Sequence, residues 1–504
     1  GRTGSKPRKD LVCASQIFEF IKYFFDDYFE YNNMGVGTVR SKVGSDYTDN
    51  KMNSYYARIN YNFDNRYLLG ASFREDGSSR FGGNNKYGFF PSGSVAWRIS
   101  EEGFMEPVKA VINNLKLRTS YGFTGNTEIG VYESLATLGS NSWTIGNQLV
   151  SGFYPNRIPN PDLKWEKTGQ FDIGFDLGLF NNRLRLTADY YYKKTTDLLY
   201  NVAIPSASGY DSMLKNIGSV QNKGYELSIE SDNLSGAFSW TTAFNISFNR
   251  NKVLELGGET YKDVGTYDDH LKTSDIRRLI VGQPIGVFYG YRFDGIFQNE
   301  AECAQQTSSP SPIGVGLRRY KDLNGDGKID ATNDREILGD ANPKFFGGMT
   351  NTFAYKGFEL NVFLQYSYGN KIFNYNAMEL ESPTGGQNVY QDLVNRWTPT
   401  NPSNEYQKAT TNRNNIVSDR FIEDGSFLKL KTVSLSYSFP KLNWKHIGGL
   451  RLYVTGQNLL TWTKYRGYDP EVSYRGASTL EAGEDFGGYP QARTFMFGIK
   501  LDIK

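Results

Sequence analysis

Apolar and polar residues alternate along most of the chain from Ser54 onward. In the first such segment, one set of alternate positions holds Tyr55, Ala57, Ile59, Tyr61 and Phe63, and the other set includes Arg58, Asn60 and Asn62. Successive side chains of a β-strand point to opposite faces, so a period of two predicts strands with one apolar and one polar face.

The same pattern predicts thirteen strands. They lie near residues 55–63, 66–75, 93–99, 114–123, 168–179, 183–193, 223–231, 237–249, 345–355, 358–368, 427–438, 449–458 and 492–503. A tilted strand of about 9–11 residues crosses a bilayer, whereas a typical strand of a globular protein has about 5–6 residues. Strands of the predicted length therefore indicate a membrane barrel.

The connections between these strands alternate between short and long. Tight turns are predicted at residues 64–65, 180–182, 232–236 and 356–357, and loops rich in Gly, Asn, Ser and Pro separate the resulting hairpins. The longest loop is residues 250–344. Outer-membrane barrels have short periplasmic turns and long extracellular loops, so the sequence predicts that residues 250–344 are a large extracellular loop insertion.

Alternation alone does not say whether the apolar face contacts a protein core or lipid, because soluble sandwiches and propellers also alternate. Aromatic residues near the strand ends favour the lipid interface, where barrels carry aromatic girdles. Such residues are Tyr61, Phe63, Tyr190, Tyr366, Tyr368 and Trp462. A closed antiparallel barrel in bacteria needs an even number of strands. Thirteen strands therefore predict a part of a larger barrel, unless one strand has been missed.

Composition narrows the function classes. The 504 residues include 56 basic and 54 acidic residues, which are interspersed and give a net charge of +2, so nucleic acid is not expected as a partner. No run of 18 uncharged apolar residues is present, so no membrane-spanning helix is predicted. Two cysteines, Cys13 and Cys303, cannot form a disulfide framework. His270 and His446 lie beside no Ser or Cys nucleophile, and the sequence predicts no enzyme.

Several motifs resemble the SusC/RagA family of TonB-dependent outer-membrane transporters. They are YLLGASFREDGSSRF at 67–81, NKYGFFPS at 85–92, SYG and TGN at 120–126, NPDLKWEKT at 160–168, DYY and TDLL at 189–199, NKGYE at 222–226, YKDLNGDG at 320–327 and TGQNL at 455–459. The resemblance runs in family order from about residue 54 to 504. Residues 1–50 match no motif of the family, and we expect a broken strand or loop there.

The resemblance implies an all-β fold: an antiparallel transmembrane β-barrel portion, with about 13 strands of a 22-stranded barrel and long extracellular loops. Residues 51–504 would be the C-terminal part of this barrel, and the plug domain and first strands would precede them in a longer protein. The family is found in Bacteroidota, where its members import oligosaccharides or oligopeptides through the outer membrane. They draw energy from the TonB complex, which contacts the N-terminal region, and they work with a SusD-like surface lipoprotein.

Two alternatives remain open at this point. A surface-structural or adhesive barrel would keep the outer-membrane fold without transport. A soluble β-rich protein that binds or hydrolyses carbohydrate would keep the alternation, although the strand length and the alternation of loop lengths speak against it.

One local motif has the spacing of a calcium loop. Its candidate ligands are Asp322, Asn324, Asp326, Lys328, Asp330 and Asp334. Oxygen-bearing side chains at loop positions 1, 3, 5 and 9 with a glycine at position 6 suit a hard cation. Asn333 replaces the usual Glu at position 12, and the alternative is an Asx/Gly turn without metal. No other cofactor is expected.

Two further sets of residues are candidates for contact with a transported molecule. Loop aromatics could stack on sugar faces: Trp143, Tyr154, Tyr267, Tyr390, Trp397 and Tyr474. Polar residues of the strands would line the lumen: Arg58, Arg118, Asp172, Asp176, Arg185, Asp189, Glu226, Glu230, Glu359 and Gln365. For the loop aromatics, packing within their own loops is the alternative. For the strand residues, a polar network along the wall is favoured over direct contact with substrate.

Overall fold

The computed structural model describes residues 48–210, 212–264, 276–382, 388–411, 415–440, 447–471, 473–476 and 478–503. These residues contain 26 strands, two short α-helices and five 3₁₀ helices. Most of the unmatched segment 1–50, the candidate Tyr267 and both histidines lie outside the described residues.

The first half of the chain is built almost wholly of strands. In chain order they are β1 (Met52–Phe63), β2 (Tyr67–Ser78), β3 (Tyr87–Arg98), β4 (Ile112–Asn126), β5 (Thr137–Ile145), β6 (Gln148–Arg157), β7 (Glu166–Leu179), β8 (Leu184–Thr196), β9 (Leu199–Ala203), β10 (Ser212–Asn216), β11 (Ser219–Leu234) and β12 (Phe238–Glu255). The 3₁₀ helices here are Ile99–Glu101, Gly103–Val108 and Ser206–Ser208.

The second half alternates long strands with short ones. The strands are β13 (Tyr261–Val264), β14 (Arg277–Ile280), β15 (Val287–Tyr291), β16 (Phe293–Ile296), β17 (Arg318–Tyr320), β18 (Arg335–Gly339), β19 (Phe345–Tyr355), β20 (Phe358–Tyr368), β21 (Lys371–Asn374), β22 (Ile422–Asp424), β23 (Phe427–Ser438), β24 (Ile447–Thr463), β25 (Glu484–Asp485) and β26 (Thr494–Ile503). The helices are α1 (Glu300–Cys303), α2 (Tyr375–Leu380) and the 3₁₀ helices Gln391–Asn395 and Asp419–Phe421.

Thirteen strands form one sheet in the described part of the chain. The hydrogen-bonded order is β1-β2-β3-β4-β7-β8-β11-β12-β19-β20-β23-β24-β26, so each long strand pairs with the next one along the chain. These are the thirteen predicted strands, and the predicted all-β antiparallel architecture is confirmed. The largest errors in a boundary are six residues, at β3, which begins at Tyr87 instead of residue 93, and at β12, which ends at Glu255 instead of residue 249. Gly88, Pro91 and Gly93 interrupt the apolar pattern in β3.

Two of the tight turns have the backbone conformation of type I′ turns. Asp64 and Asn65 have φ angles of 53° and 54°, and Lys356 and Gly357 have φ angles of 46° and 89°. Positive φ at both central residues matches the right-handed twist of the flanking strands. Each turn fixes the register of its hairpin, as in β19–β20, where Tyr355 pairs with Phe358 and Phe345 with Tyr368.

Cross-strand pairs put the apolar residues of neighbouring strands on the same face. Leu360 of β20 lies opposite Leu435 of β23, and Leu452 of β24 lies opposite Ile499 of β26. Leu435, Leu452 and Ile499 are nevertheless exposed, so the described protein does not cover this face of the sheet. An uncovered face of large apolar side chains is what a lipid-facing sheet presents.

The buried cores lie mainly in the connections between the long strands. The chain divides into two compact units. Unit 1 comprises Gly1–Val95, Thr119–Phe171 and Lys193–Val220, and unit 2 comprises Ala96–Arg118, Asp172–Tyr192 and Gln221–Lys504. In unit 1 a small core is formed by Phe81, Phe90, Leu163 and Trp165. In unit 2 the loop core consists of Ile276, Phe288, Phe373, Tyr375, Ala377, Met378, Val417 and Phe421.

The long connections contain more secondary structure than the sequence predicts. The described residues between 256 and 344, which connect β12 to β19, carry six short strands, and these strands form a four-stranded and a two-stranded sheet. The connection between β4 and β7 contains the β5–β6 hairpin. Within the described residues no helix is both long and apolar enough to span a membrane.

Candidate functional site

An ion-paired cluster lies on the polar face of the sheet in unit 2. Arg118 of β4 is at its centre, with Nη1 2.6 Å from Oδ1 of Asp189 on β8 and Nη2 2.7 Å from Oδ2 of the same carboxylate. Asp176 and Asp172 of β7 lie 3.5 and 3.6 Å from the guanidinium, and Lys116 lies 3.4 Å from Asp176. We call these residues the Arg118 cluster. Bidentate pairing of this kind is strong and fixes geometry.

A glycine makes room for this cluster. A Cβ atom at Gly174 of β7 would lie 2.1 Å from Oδ1 of Asp189 and 3.0 Å from Cζ of Arg118. Any other residue at this position would push the two charged groups apart. The sequence places Gly174 on the polar face of its strand, but only the register of β7 against its neighbours shows why the glycine is needed.

The other predicted polar-face residues form separate pairs or remain exposed. Arg185 of β8 pairs with Glu230 of β11 at 2.9 Å, and Glu359 of β20 pairs with Arg451 of β24 at 2.7 Å. Arg58 and Glu226 have no ion pair among the described residues. The structure thus brings Arg118, Asp172, Asp176 and Asp189 together and leaves the remaining candidates at other points of the polar face. Contact with a transported molecule stays a prediction for all of them.

The loop aromatics differ in their surroundings. Trp143 and Tyr154 lie on the same face of the β5–β6 hairpin, with ring centroids 6.4 Å apart, and both are partly exposed. Their rings also cover Gly152 and Gly139 of the same hairpin.

The remaining described aromatics are engaged in their own loops. Tyr390 packs against the loop core, and the Trp397 indole donates to Oε1 of Gln298 at 3.1 Å. Tyr474 stacks edge-on against Phe486 with centroids 5.4 Å apart. Trp143 and Tyr154 are therefore the described pair whose rings remain most open to a ligand, and ligand binding stays a prediction.

Residues 322–334, the candidate calcium loop, are called the acidic loop here. Its own backbone amides donate hydrogen bonds to its Asp side chains, and these bonds hold its fold. Asp322 accepts from the amides of Gly325 and Gly327 at 2.6 and 2.7 Å, and Asp334 accepts from the amides of Leu323 and Asp330, both at 2.8 Å. Among the described residues no group of three or more His, Cys, Asp or Glu side chains is placed to hold one metal ion. A carboxylate has about four lone-pair sites, so one amide bond per oxygen leaves capacity for a cation. Calcium binding stays a prediction.

A group of ion pairs that the sequence did not predict holds the connection between β24 and β26. Lys429 of β23 is buried, and its Nζ lies 2.6 Å from Oδ1 of Asp469 and 2.5 Å from Oε2 of Glu471. Lys431 adds a contact to Glu471 at 3.1 Å, and Gln365 of β20 donates to the same carboxylate at 2.9 Å. We call this group the terminal-loop latch, since it ties the last loop to β20 and β23. The sequence signal that could have indicated this group is the pair Lys429 and Lys431, two residues apart in one strand.

The latch gives the last loop a defined pH dependence. Burial alone would raise the pKa of Asp469 and of Glu471, but hydrogen bonds from Lys429, with Lys431 also donating to Glu471, outweigh it and lower both pKa values. A carboxyl group with a lowered pKa stabilises the fold above its unfolded pKa, about 3.9 for Asp and 4.3 for Glu. The contribution is then lost as the pH falls through the lowered folded value.

We expect the full-length protein to lose less stability than wild type on acidification when Glu471 is replaced by Gln. Thermal unfolding in detergent from pH 7 to pH 3 measures this, because Glu471→Gln removes one of the two titrating groups. The Glu230→Gln variant, altered at an exposed pair, serves as the control and should follow the wild-type pH profile. Identical pH profiles for wild type and Glu471→Gln would contradict the latch.

A second buried charged group, the Glu381 cluster, holds the loop core of unit 2. Oε2 of Glu381 lies 2.7 Å from Nη2 of Arg420, and Oε1 lies 3.0 Å from Nη1 of Arg466. Arg466 also contacts Glu423 at 2.9 Å, and the fully buried Arg318 donates to the backbone carbonyl of Glu381 at 3.3 Å. The buried charges of Glu381 and Arg420 are tolerated because each has a partner of opposite sign.

Comparison with known proteins gives a consistent result. Residues 14–295 match the family described as TonB dependent receptor-like, β-barrel. The chain is 40% identical over 493 residues to TonB-dependent receptor P3 of Formosa agariphila, covering 96% of this chain and 49% of that protein. It is 31% identical over 471 residues to TonB-dependent receptor SusC of Bacteroides thetaiotaomicron, covering 90% of this chain and 44% of the relative.

The fold is also similar to a solved structure, that of the RagAB peptide transporter. The TM-score is 0.76 with 28% identity, over 90% of this chain and 47% of the other. The chain thus spans about half the length of the proteins it matches. All three relatives are named as receptors or transporters.

Proposed function

Since the chain belongs to the TonB-dependent receptor-like β-barrel family, we propose that it forms the C-terminal part of the barrel of an importer in the outer membrane. The thirteen-stranded antiparallel sheet is the part of such a barrel that residues 51–504 supply. In this proposal residues 250–344 are an extracellular loop insertion, whose first residues, 250–255, extend β12. The soluble alternative is excluded, because the relatives of this family are outer-membrane β-barrel proteins.

The single observation that carries the proposal is the contrast between the two faces of the sheet. One face holds ion pairs such as those of the Arg118 cluster, and the other holds exposed apolar residues such as Leu435 and Ile499. A barrel interior that is polar and an exterior that is apolar suit a water-filled path through a bilayer. The paired charges keep the wall polar without leaving a strong net field in the path.

Membership of the family also suggests the energy source for import and the partner proteins. We propose that the TonB complex energises import through the N-terminal plug region of the longer protein, and that a SusD-like lipoprotein delivers substrate at the surface. The family resemblance implies two substrate classes, oligosaccharides and oligopeptides, and the similarity to a transporter named for peptides supports the second. An adhesive barrel without transport is the competing function.

Uptake by cells tests this proposal. A strain without the full-length gene and the same strain carrying it receive a mixture of neutral oligosaccharides and casein peptides, and mass spectrometry follows their loss from the medium. We expect loss of at least one component only with the gene present, and we expect a protonophore to stop it. Equal depletion by both strains would contradict import, as would depletion that the protonophore leaves unchanged.

We also propose that the acidic loop binds calcium weakly. Calorimetric titration of Ca²⁺ into the detergent-solubilised full-length protein should give a Kd of about 10⁻⁴–10⁻³ M, as in extracellular sites with few charged ligands. Asp326→Ala should abolish the heat, because it removes the carboxylate at loop position 5. An absence of heat in wild type, or equal heat in the variant, would show that the loop is an Asx/Gly turn.

A further inference from the structure

A pocket of about 610 Å³ lies on the polar face of unit 1. Its walls include Ser72, Arg74, Asp76, Ser92, Thr124 and Asn126, from strands β2, β3 and β4. Asn126 ends β4 and Asp76 lies near the end of β2, so the pocket is at the end of the sheet opposite the Asp64-Asn65 turn. That is the extracellular end in the proposed orientation, and the volume is typical of ligand-binding pockets.

Asp76 is the unusual residue of this pocket. It is only 4% exposed, and its Oδ2 accepts from Nε of Arg74 at 2.6 Å. No donor from the described residues reaches its other oxygen, Oδ1, which is also buried. A buried carboxylate oxygen without a donor is costly, so this atom has an unmet requirement for an O–H or N–H group.

The rest of the lining is rich in neutral hydroxyl groups. The hydroxyls of Ser72 and Ser92 lie 2.6 Å apart, and Thr124 is exposed on the same face. Hydroxyls donate and accept, as the hydroxyls of a sugar do. Phe90 and Trp165, with ring centroids 5.4 Å apart, add an apolar wall. An apolar wall beside a few placed polar groups is the usual design of a small-molecule site.

The Arg74–Asp76 pair supplies a guanidinium donor and a carboxylate acceptor side by side, with no net charge between them. Two neighbouring sugar hydroxyls match this pair, since one donates to Oδ1 of Asp76 and the other accepts from Arg74. The Arg74 side chain is about half exposed, so its remaining N–H groups can reach a ligand. A neutral pair gives no preference for the charged ends of a peptide.

We propose that this Asp76 pocket is a subsite for a neutral oligosaccharide segment on the import path. The inference rests on the proposed import function and narrows its substrate class. It assigns the carboxylate of Asp76 as a hydrogen-bond acceptor and Arg74 as a donor for the bound sugar.

The test uses the full-length gene in the deletion strain, as wild type and as Asp76→Asn, Thr124→Trp and Asp64→Asn. Asp76→Asn keeps the shape and removes the charged acceptor, and Thr124→Trp fills the pocket from an exposed position. Asp64→Asn is the matched control, because Asp64 forms an Arg–Asp pair at 3.1 Å with Arg66 in the opposite turn. Cells receive starch, cellulose and xylan oligosaccharides of four to eight units together with casein peptides. Heat-modifiable mobility in outer-membrane extracts confirms the folding of each variant.

We expect both pocket variants to slow the depletion of a neutral oligosaccharide at least about tenfold, as loss of a charge-assisted hydrogen bond predicts, and Asp64→Asn to behave as wild type. If Asp76→Asn does not fold, the uptake rate of the Thr124→Trp variant alone tests the subsite. Wild-type rates in the folded pocket variants would overturn the subsite. If wild type depletes only peptides, import stands and the sugar subsite is wrong. If wild type depletes nothing, the import proposal fails and the subsite fails with it.

Discussion

The Glu381→Gln variant of the full-length protein should lose about 3–5 kcal/mol of stability in the loop core of unit 2. Removing one partner of a buried ion pair leaves the other charge uncompensated, and that is the costly outcome. Glu381 is 1% exposed and pairs with both Arg420 and Arg466, so its loss leaves Arg420 without a carboxylate partner among the described residues, whereas Arg466 keeps Glu423. Hydrogen exchange by mass spectrometry measures the effect as faster exchange in α2 (Tyr375–Leu380) and β22 (Ile422–Asp424).

The matched control for this variant is Glu230→Gln. Glu230 also pairs with an arginine, Arg185, at 2.9 Å, but both side chains are about half exposed. Such pairs contribute about 0–1 kcal/mol, because water screens them. Similar exchange rates in the two variants would show that the Glu381 cluster does not hold the loop core.

The second large effect is expected on the apolar face of the sheet. Val362 is at the centre of β20 (Phe358–Tyr368) and pairs with Val433 on the face that carries Leu360 and Leu435. A charged residue at the midplane on the lipid face of a barrel costs about 2–4 kcal/mol. Val362→Arg should therefore destabilise the full-length protein by about this amount, as measured by denaturant unfolding in liposomes.

The neighbouring residue provides the control. Asn361 lies on the opposite face of β20, where its side chain donates to the Thr352 hydroxyl at 2.9 Å. Asn361→Arg should lose only this hydrogen bond, and the stability of the protein should fall by about 0.5–1.5 kcal/mol. A larger loss for Asn361→Arg than for Val362→Arg would mean that the assigned faces are reversed.

Strand positions were predictable because the membrane makes the pattern simple. A strand such as β20 has lipid on one face and polar surroundings on the other, so Leu360, Val362 and Leu364 alternate with polar neighbours at every position except Phe363. The prediction failed in detail at β3, where Pro91 and two glycines hide the alternation. Hydrogen-bonded pairing with neighbours, and not side-chain pattern, defines that strand.

The folded loops were not predictable from the same signal. Strands β13 to β18 have only three to five residues each, which is too short for alternation to be recognised. Their stability comes from contacts distant in the chain, such as Arg277 with Glu484 at 2.8 Å. The adjacent Arg278 lies between the rings of Tyr261 and Tyr289, an environment that no local pattern indicates.

For the candidate site, the sequence predicted which charged residues lie on the polar face but not which of them form ion pairs. The sequence places Arg118 and Asp189 on polar faces of their strands, and the structure makes them a bidentate pair. Which carboxylate meets Arg118 depends on the register of three strands and on the absence of a side chain at Gly174. The Asp76 pocket was missed for the same reason, because its walls come from several strands.

The central claim is that the sheet is a membrane wall with one lipid-facing and one water-facing side. Single cysteines at residues 241–248 of β12 in the full-length protein, spin-labelled in liposomes, test it directly. Accessibility to oxygen, which concentrates in lipid, and to a water-soluble nickel chelate should alternate. Phe244 and Ile246 should favour oxygen, and Ala243 and Asn245 should favour the chelate. Equal accessibility of neighbouring positions, or the reverse alternation, would contradict the account.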